Sequence, residues 1–292
     1  MRLASLSGGS ISSDDVLGFR SIKVRKMESR FPATIVIPLL DQVDEWLEQC
    51  VRSALDQTVE CEVVVVLSPR TRRSNLAFLD RLKSEFDNLR LLPREILGFP
   101  GAINAGFEAA SAPRVGLLLS DDWLDPRAVE LCLPHDADIV SSGNRVWDGD
   151  GRTLLEDVSR TPRVHDFLQS KTLESKARYL QHFFLFRKSK LQEIGGADES
   201  LGDFPGIDDF DMIWVLLEHR ATVAIVEQQL YNYRDHHGNR LSLRHFEEAA
   251  SVLERILEKH AVVDSERAEI RREHLKWYGR QLQVAFDEMR KR

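Results

Sequence analysis

Three groups of side chains in this sequence have the types and spacing for chemistry. The stretch "VGLLLSDDWLDP" (115–126) ends an apolar run on two adjacent carboxylates, Asp121 and Asp122. Carboxylates at the end of a buried strand are either solvated or hold something positive. Hard oxygen donors of this kind suit Mg2+ or Mn2+, above all where phosphates complete the coordination. The competing reading is structural, because Asp125 and Pro126 have the pattern of an N-cap and first helical residue, and Asp122 is a ready turn former. A second group, Asp208, Asp209 and Asp211, opens a helical pattern in "FPGIDDFDMIWVLLEH". Acids in a first turn complement the helix dipole, yet three within four residues exceed what capping needs, which puts a general base among the readings. The third group is His236–His237 in "YRDHHGNR", where one imidazole is a candidate metal ligand. The other seven histidines, His182 included, read as surface or filler residues.

These groups need a scaffold, and the hydrophobic pattern supplies one. "ATIVIP" (33–38), "CEVVVVL" (61–67), "LRLLP" (89–93), "RVGLLLS" (114–120) and "ADIVSSG" (137–143) read as strands, the first two as buried β-branched runs. Helical periods fall between them, from Val43 to Leu55 and from Leu76 to Phe86. "GFPGAINAGFEAA" (98–110) is a glycine-rich entry into a helix of small residues that can pack closely on a sheet. It lacks the Lys-Ser/Thr ending of a P-loop and the glycine spacing of a dinucleotide fingerprint. Residues 144–180 read as irregular apart from a helix near 172–180. "HFFLFRKSKLQEIGG" (182–196) reads as a strand and a glycine-capped helix, "ATVAIV" (221–226) as a strand and 230–242 as an edge segment. Two helices follow from about 243. Alternating strands and helices imply an α/β fold with a mostly parallel sheet flanked by helices, and ligands at the carboxyl ends of its strands.

Composition narrows the function classes. The chain of 292 residues is 42% hydrophobic and 30% charged, ordinary for a globular protein. Its net charge of −7 argues against a nucleic-acid partner. With no apolar run of about 18 residues, no transmembrane segment is expected, and the N-terminus lacks the apolar core of a secretory signal. Cys50, Cys61 and Cys132 are odd in number and lie in apolar surroundings, so reduced core thiols and a cytoplasmic location are expected.

Taken in order, five segments resemble the family 2 glycosyltransferases of GT-A fold, over roughly residues 33–242. They are "ATIVIPLLD", "GFPGAINAGFEAASAPRVGLLLSDDWLDP", "LFRKSKLQEIGGADESL", "GIDDFDMIWVLLEH" and "LYNYRDHHGNRLS". The resemblance implies a Rossmann-like GT-A domain over 32–242, with a flexible arm at 1–31 and a C-terminal helical extension at 243–292. It implies transfer of a sugar from a nucleotide-diphosphate donor to a hydroxyl of an acceptor the sequence does not identify, with inversion. The last carboxylate of the family's Asp-x-Asp metal motif aligns with Asp121, and His236 adds a ligand to Mn2+ or Mg2+. Asp209 takes the place of the general base, with Asp208 beside it. Pro38, Leu39, Ser68, Arg70, Gly101, Asn104, Ser120, Asp121 and Asp122 are the expected donor-binding positions. Two departures stand out. Leu119 replaces the first acid of the motif, for which Asp122 is the candidate substitute. "LSPR" (67–70) also replaces the acidic pair that commonly ends the second strand. These departures motivate one alternative, a GT-A-like module that binds sugar nucleotides without turnover; the clustered Asp208–Asp209 argues against it. A homodimer through the C-terminal helices is a further expectation, with Trp277 and Tyr278 fitting either that contact or packing back onto the main domain.

Overall fold

A computed structural model describes residues 29–95, 98–155, 160–201, 208–236 and 246–291. The N-terminal arm up to residue 28 and His237 lie outside the described residues. Eight strands form one sheet: β1 (Ala33–Leu39), β2 (Glu62–Leu67), β3 (Leu89–Pro93), β4 (Arg114–Leu117), β5 (Trp123–Leu124), β6 (Ile139–Trp147), β7 (Phe184–Arg187) and β8 (Val223–Arg234). Their order across the sheet is β3-β2-β1-β4-β7-β6-β8-β5. The first four neighbours run parallel, while β7 is antiparallel to both β4 and β6.

Helices cover both faces: α1 (Asp44–Leu55), α2 (Arg73–Glu85), α3 (Phe99–Ala109), α4 (Ala128–Cys132), α5 (Val164–Gln169), α6 (Leu173–Tyr179), α7 (Lys188–Ile194) and α8 (Asp208–Glu218). This is why β1 from Ile35 and β2 from Val63 are apolar without interruption. Successive side chains point to opposite faces, and each face meets its own core. Ile35, Ile37, Val63 and Val65 join one cluster with Leu47 and Val51 of α1, and Val36, Val64 and Val66 join the other with Ile103 and Phe107 of α3. Burying one such side chain contributes about 1.5–3 kcal/mol. The small residues of α3 serve close packing as expected: a Cβ added at Gly106 would lie 2.2 Å from Val36 Cγ1. Gly195 caps α7 in the left-handed region, at φ 80°.

Two strands differ from the sequence reading. β6 continues four residues into the stretch expected to be irregular, and β8 is one strand of 12 residues where a strand and an edge segment were expected. The two pair in parallel, with register shifts on both sides of Gly143. The irregular register and the exposed Glu227–Gln228 in mid-strand hide the continuity from a period count. Nor is β8 the edge, because the two-residue β5 pairs outside it.

The C-terminal helices α9 (Phe246–Lys259) and α10 (Asp264–Lys291) pack into the α3-side core: Val252, Leu253, Ile256, Leu257 and Ile270 contact the cluster that holds Met212, Ile213 and Trp214 of α8. Among the described residues no helix is long and apolar enough to cross a membrane. The side chains of Trp277 and Tyr278 lie outside the described set. Two histidines at this seam titrate in opposite senses. His260 stacks on Trp214 at 4.0 Å, and although burial opposes its charge, hydrogen bonds to Asp211 and Glu218 raise its pKa. Its contribution is therefore full below the unfolded value near 6.5 and is lost as pH rises through the higher folded value. Burial, with Arg178 nearby, pushes His274 down to about 4. Between about 6.5 and about 4 the unfolded chain binds a proton that folded His274 refuses, so stability falls as pH falls through that window. His274→Phe is expected to shrink the stability lost between pH 7 and pH 5 by on the order of 1–2 kcal/mol. Urea melts at the two pH values measure this, and an equal loss in both proteins refutes it.

Candidate active site

β4 ends at Leu117, and the chain turns through Ser120 and Asp121 before β5. β5 pairs with β8 as Trp123↔Asn232 and Leu124↔Tyr231, which brings the two carboxylates against Tyr231–His236. The fold then separates them. Asp122 is 1% exposed; its Oδ2 accepts from the Tyr231 hydroxyl at 2.7 Å and its Oδ1 from the Arg234 N–H at 2.7 Å. Burial and the Asp122 charge raise the Tyr231 pKa well above its ordinary value, so the phenol remains a donor. Asp122 was expected to bind donor and to stand in for the acid replaced by Leu119. Its carboxylate instead faces inward and braces β8.

Asp121 keeps its carboxylate partly exposed, and Oδ2 lies 2.9 Å from His236 Nε2. His236 is buried, its ring 4.4 Å from that of Trp46. This contact is a hydrogen bond, with the His236 proton on Nε2 because Nδ1 is buried and has no partner among the described residues. Its length is also close to the roughly 3.0 Å between cis ligands of an octahedral ion with bonds near 2.1 Å, so the pair can share a divalent cation only by giving up that proton. Among the described residues no group of three or more His, Cys, Asp or Glu side chains could hold a metal. A donor set with two protein ligands fits Mg2+ or Mn2+ completed by phosphate and water.

Arg234 fixes this turn. Its guanidinium lies 5.0 Å from the Trp46 ring and 4.8 Å from the Trp123 ring, and it donates to Asp121 O, Gly149 O and Gln49 Oε1 at 2.9, 3.2 and 2.5 Å. Burial lowers its pKa while Asp122 and Asp121 oppose that shift. Tyr231, Arg234 and Trp46 escaped the sequence reading. The available signal was a long cation set among aromatics, in the strand nearest two carboxylates in need of counter-charge.

The second acidic group also divides. Asp211 is 1% exposed and turned to Lys259 Nζ at 2.7 Å and His260 Nε2 at 3.0 Å, which makes it part of the helix seam. Asp209 faces the other way. Its Oδ1 accepts from the Phe210 N–H at 2.8 Å, and its Oδ2 lies 2.8 Å from His182 Nε2. His182 is thus no filler residue. The side chain of Asp208 lies outside the described set.

Of the remaining donor positions, Pro38, Leu39, Ser68, Arg70 and Ser120 fall at or just beyond the carboxyl ends of β1, β2 and β4, and Gly101 and Asn104 lie in α3. Pro38 and Leu39 close β1, and the Leu39 side chain is buried in the core, leaving its carbonyl to accept from Ser68 N at 3.0 Å. Ser68 Oγ accepts from Arg70 N at 3.1 Å, and the Arg70 side chain is exposed. Gln42 Nε2 donates to Ser120 Oγ at 3.3 Å and ties the β1 loop to the β4 turn. Asn104 was expected to meet the donor. Its amide clamps the segment after α7: Nδ2 donates to Ala197 O at 2.9 Å and Glu199 Oε1 at 3.0 Å, and Oδ1 accepts from Ala197 N at 2.8 Å. Gly101 likewise packs under the Arg94 guanidinium, 2.9 Å from where a Cβ would stand. The three cysteines are buried and free, with Cys61 and Cys132 pushed up to about 12 by burial, so neither supplies a thiolate at neutral pH.

Comparison with known proteins places the fold and the family. Chondroitin synthase of Escherichia coli is 27% identical over 232 residues, covering 76% of this chain and 32% of that protein. Hyaluronan synthase of Pasteurella multocida is 34% identical over 178 residues, covering 59% of this chain and 17% of that protein. The chain spans between 16% and 61% of the length of the curated relatives it matches. The solved structure of S. aureus TarS 1–349 in complex with UDP-GlcNAc superposes with a TM-score of 0.56 at 17% identity, covering 77% of this chain and 66% of that one, which shows a shared fold. A family model described as Glycosyl transferase family 2 matches residues 34–195, more than half of the sequence, and the chain belongs to that family.

Proposed function

We propose that this chain transfers a sugar from a UDP-sugar to an acceptor hydroxyl with inversion at the anomeric carbon, assisted by Mn2+ or Mg2+. The observation that carries the reading is the 2.9 Å approach of Asp121 to His236 at the carboxyl end of β4. Asp209 supports it as a second carboxylate, partly exposed at the start of α8. The choice of UDP follows the TarS complex with UDP-GlcNAc. Asp121 and His236 would hold the cation, which when bound offsets the charge that develops on the departing diphosphate. Asp209 accepts the proton of the acceptor hydroxyl as its oxygen bonds to the anomeric carbon. The bond from that carbon to the diphosphate oxygen breaks, and its electron pair leaves with UDP. Attack in line with the leaving group inverts the configuration.

Donor class is tested by thermal shift across nucleoside diphosphates with Mn2+. UDP at 100 times its Kd is expected to stabilise the fold by about 2.7 kcal/mol, a rise of several degrees, and EDTA to remove most of it. A melting temperature unmoved by every nucleoside diphosphate refutes the proposal.

A further inference from the structure

Phe184 opens β7 and pairs with Leu117, the last residue of β4. His182, two residues earlier, therefore stands at the carboxyl edge of the sheet. Its ring is held between those of Phe184 at 4.5 Å and Tyr231 at 5.0 Å, and the side chain is 16% exposed. Nδ1 is shut off from solvent and has no hydrogen-bond partner among the described residues. A buried N–H without an acceptor is costly, so the proton belongs on Nε2, which donates to Asp209 Oδ2 at 2.8 Å. The same burial removes His182 as the base itself, because its one lone pair, on Nδ1, is closed to an acceptor hydroxyl.

We propose that His182 is the positioning residue of the general base. Its Nε2–H holds Asp209 Oδ2 while the Phe210 N–H holds Oδ1, which fixes the plane of a carboxylate whose terminal torsion is otherwise soft. Tyr231 links the two halves of the site: its ring packs on His182, and its hydroxyl binds Asp122 beneath the donor-side turn. The inference rests on Asp209 being the base.

The test uses the full chain with UDP-GlcNAc and Mn2+, with UDP release to water and to an oligosaccharide panel as the readout. His182→Phe keeps a ring against Phe184 and Tyr231 but has no N–H; His182→Gln returns an N–H near the position of Nε2. The Phe variant is expected to lose about 10- to 100-fold in kcat with the KM for UDP-GlcNAc within about twofold. The Gln variant is expected to recover most of the loss. Added to Asp209→Asn, the Phe change should cost nothing further. A Phe variant within twofold of wild-type kcat, or a loss that Gln does not recover, overturns the proposal. Asp209→Asn turning over at the wild-type rate overturns it together with the reading of Asp209, whereas an inactive Asp209→Asn beside an unimpaired Phe variant overturns it alone. Nitrogen-15 spectra of the wild-type chain give a readout that needs no turnover. His182 is expected as the Nε2–H tautomer, and a proton on Nδ1 overturns the proposal.

Discussion

Asp209→Asn is expected to lower sugar transfer by about three orders of magnitude while leaving UDP affinity in Mn2+ within about threefold of wild type. A positioned general base supplies about 10²- to 10⁴-fold, and the amide keeps the shape of the carboxylate without its basicity. The substitution is local. The side chain is partly exposed, and its two hydrogen bonds run to the Phe210 N–H and to His182. An amide presents only one oxygen to these two donors, so one of the hydrogen bonds is lost, a cost of about 1 kcal/mol to stability. Calorimetric titration with UDP and initial rates of UDP release separate binding from chemistry. A variant that turns over at half the wild-type rate or faster removes Asp209 from the base position.

What the sequence disclosed follows from how local each signal is. The strands β1 and β2 were legible because two covered faces demand unbroken β-branched runs. The helix cap at Gly195 was legible because it lies within one turn of what it caps. β5 has two residues and no period, so only its pairing with β8 reveals it. The site was half legible for the same reason. Asp121 and Asp122 are chemically alike in the sequence, and the partners that distinguish them, His236 and Tyr231, arrive more than 100 positions later. His182 was passed over because an isolated histidine carries no mark of its use; its partner lies 27 positions downstream, on α8. Asn104 shows the same limit. Its place among glycines said nothing of the three hydrogen bonds to Ala197 and Glu199 that engage its amide more than 90 positions downstream.

The adjacent aspartates yield a paired prediction, because identical truncations one residue apart should fail in different ways. Asp122→Ala removes the acceptor of the Tyr231 hydroxyl and of the Arg234 N–H, both in buried surroundings. Each unsatisfied donor costs about 1–3 kcal/mol, so a loss of about 2–5 kcal/mol and a melting temperature lower by roughly 5–15 °C are expected. Asp121→Ala leaves the turn intact, since Arg234 grips the Asp121 carbonyl and the removed carboxylate is partly exposed. Its melting temperature should stay within a few degrees of wild type. The loss appears in binding, where Mn2+ should no longer tighten UDP. Wild type and variant then bind UDP alike in EDTA and differ by about 100-fold or more in Mn2+, a gap of about 2.7 kcal/mol. The EDTA arm decides the matter, because a distorted pocket weakens binding with or without the ion, and a missing metal ligand weakens it only with the ion. If Asp121→Ala keeps the response to Mn2+, the 2.9 Å approach of Asp121 to His236 is an internal hydrogen bond with no part in holding a cation.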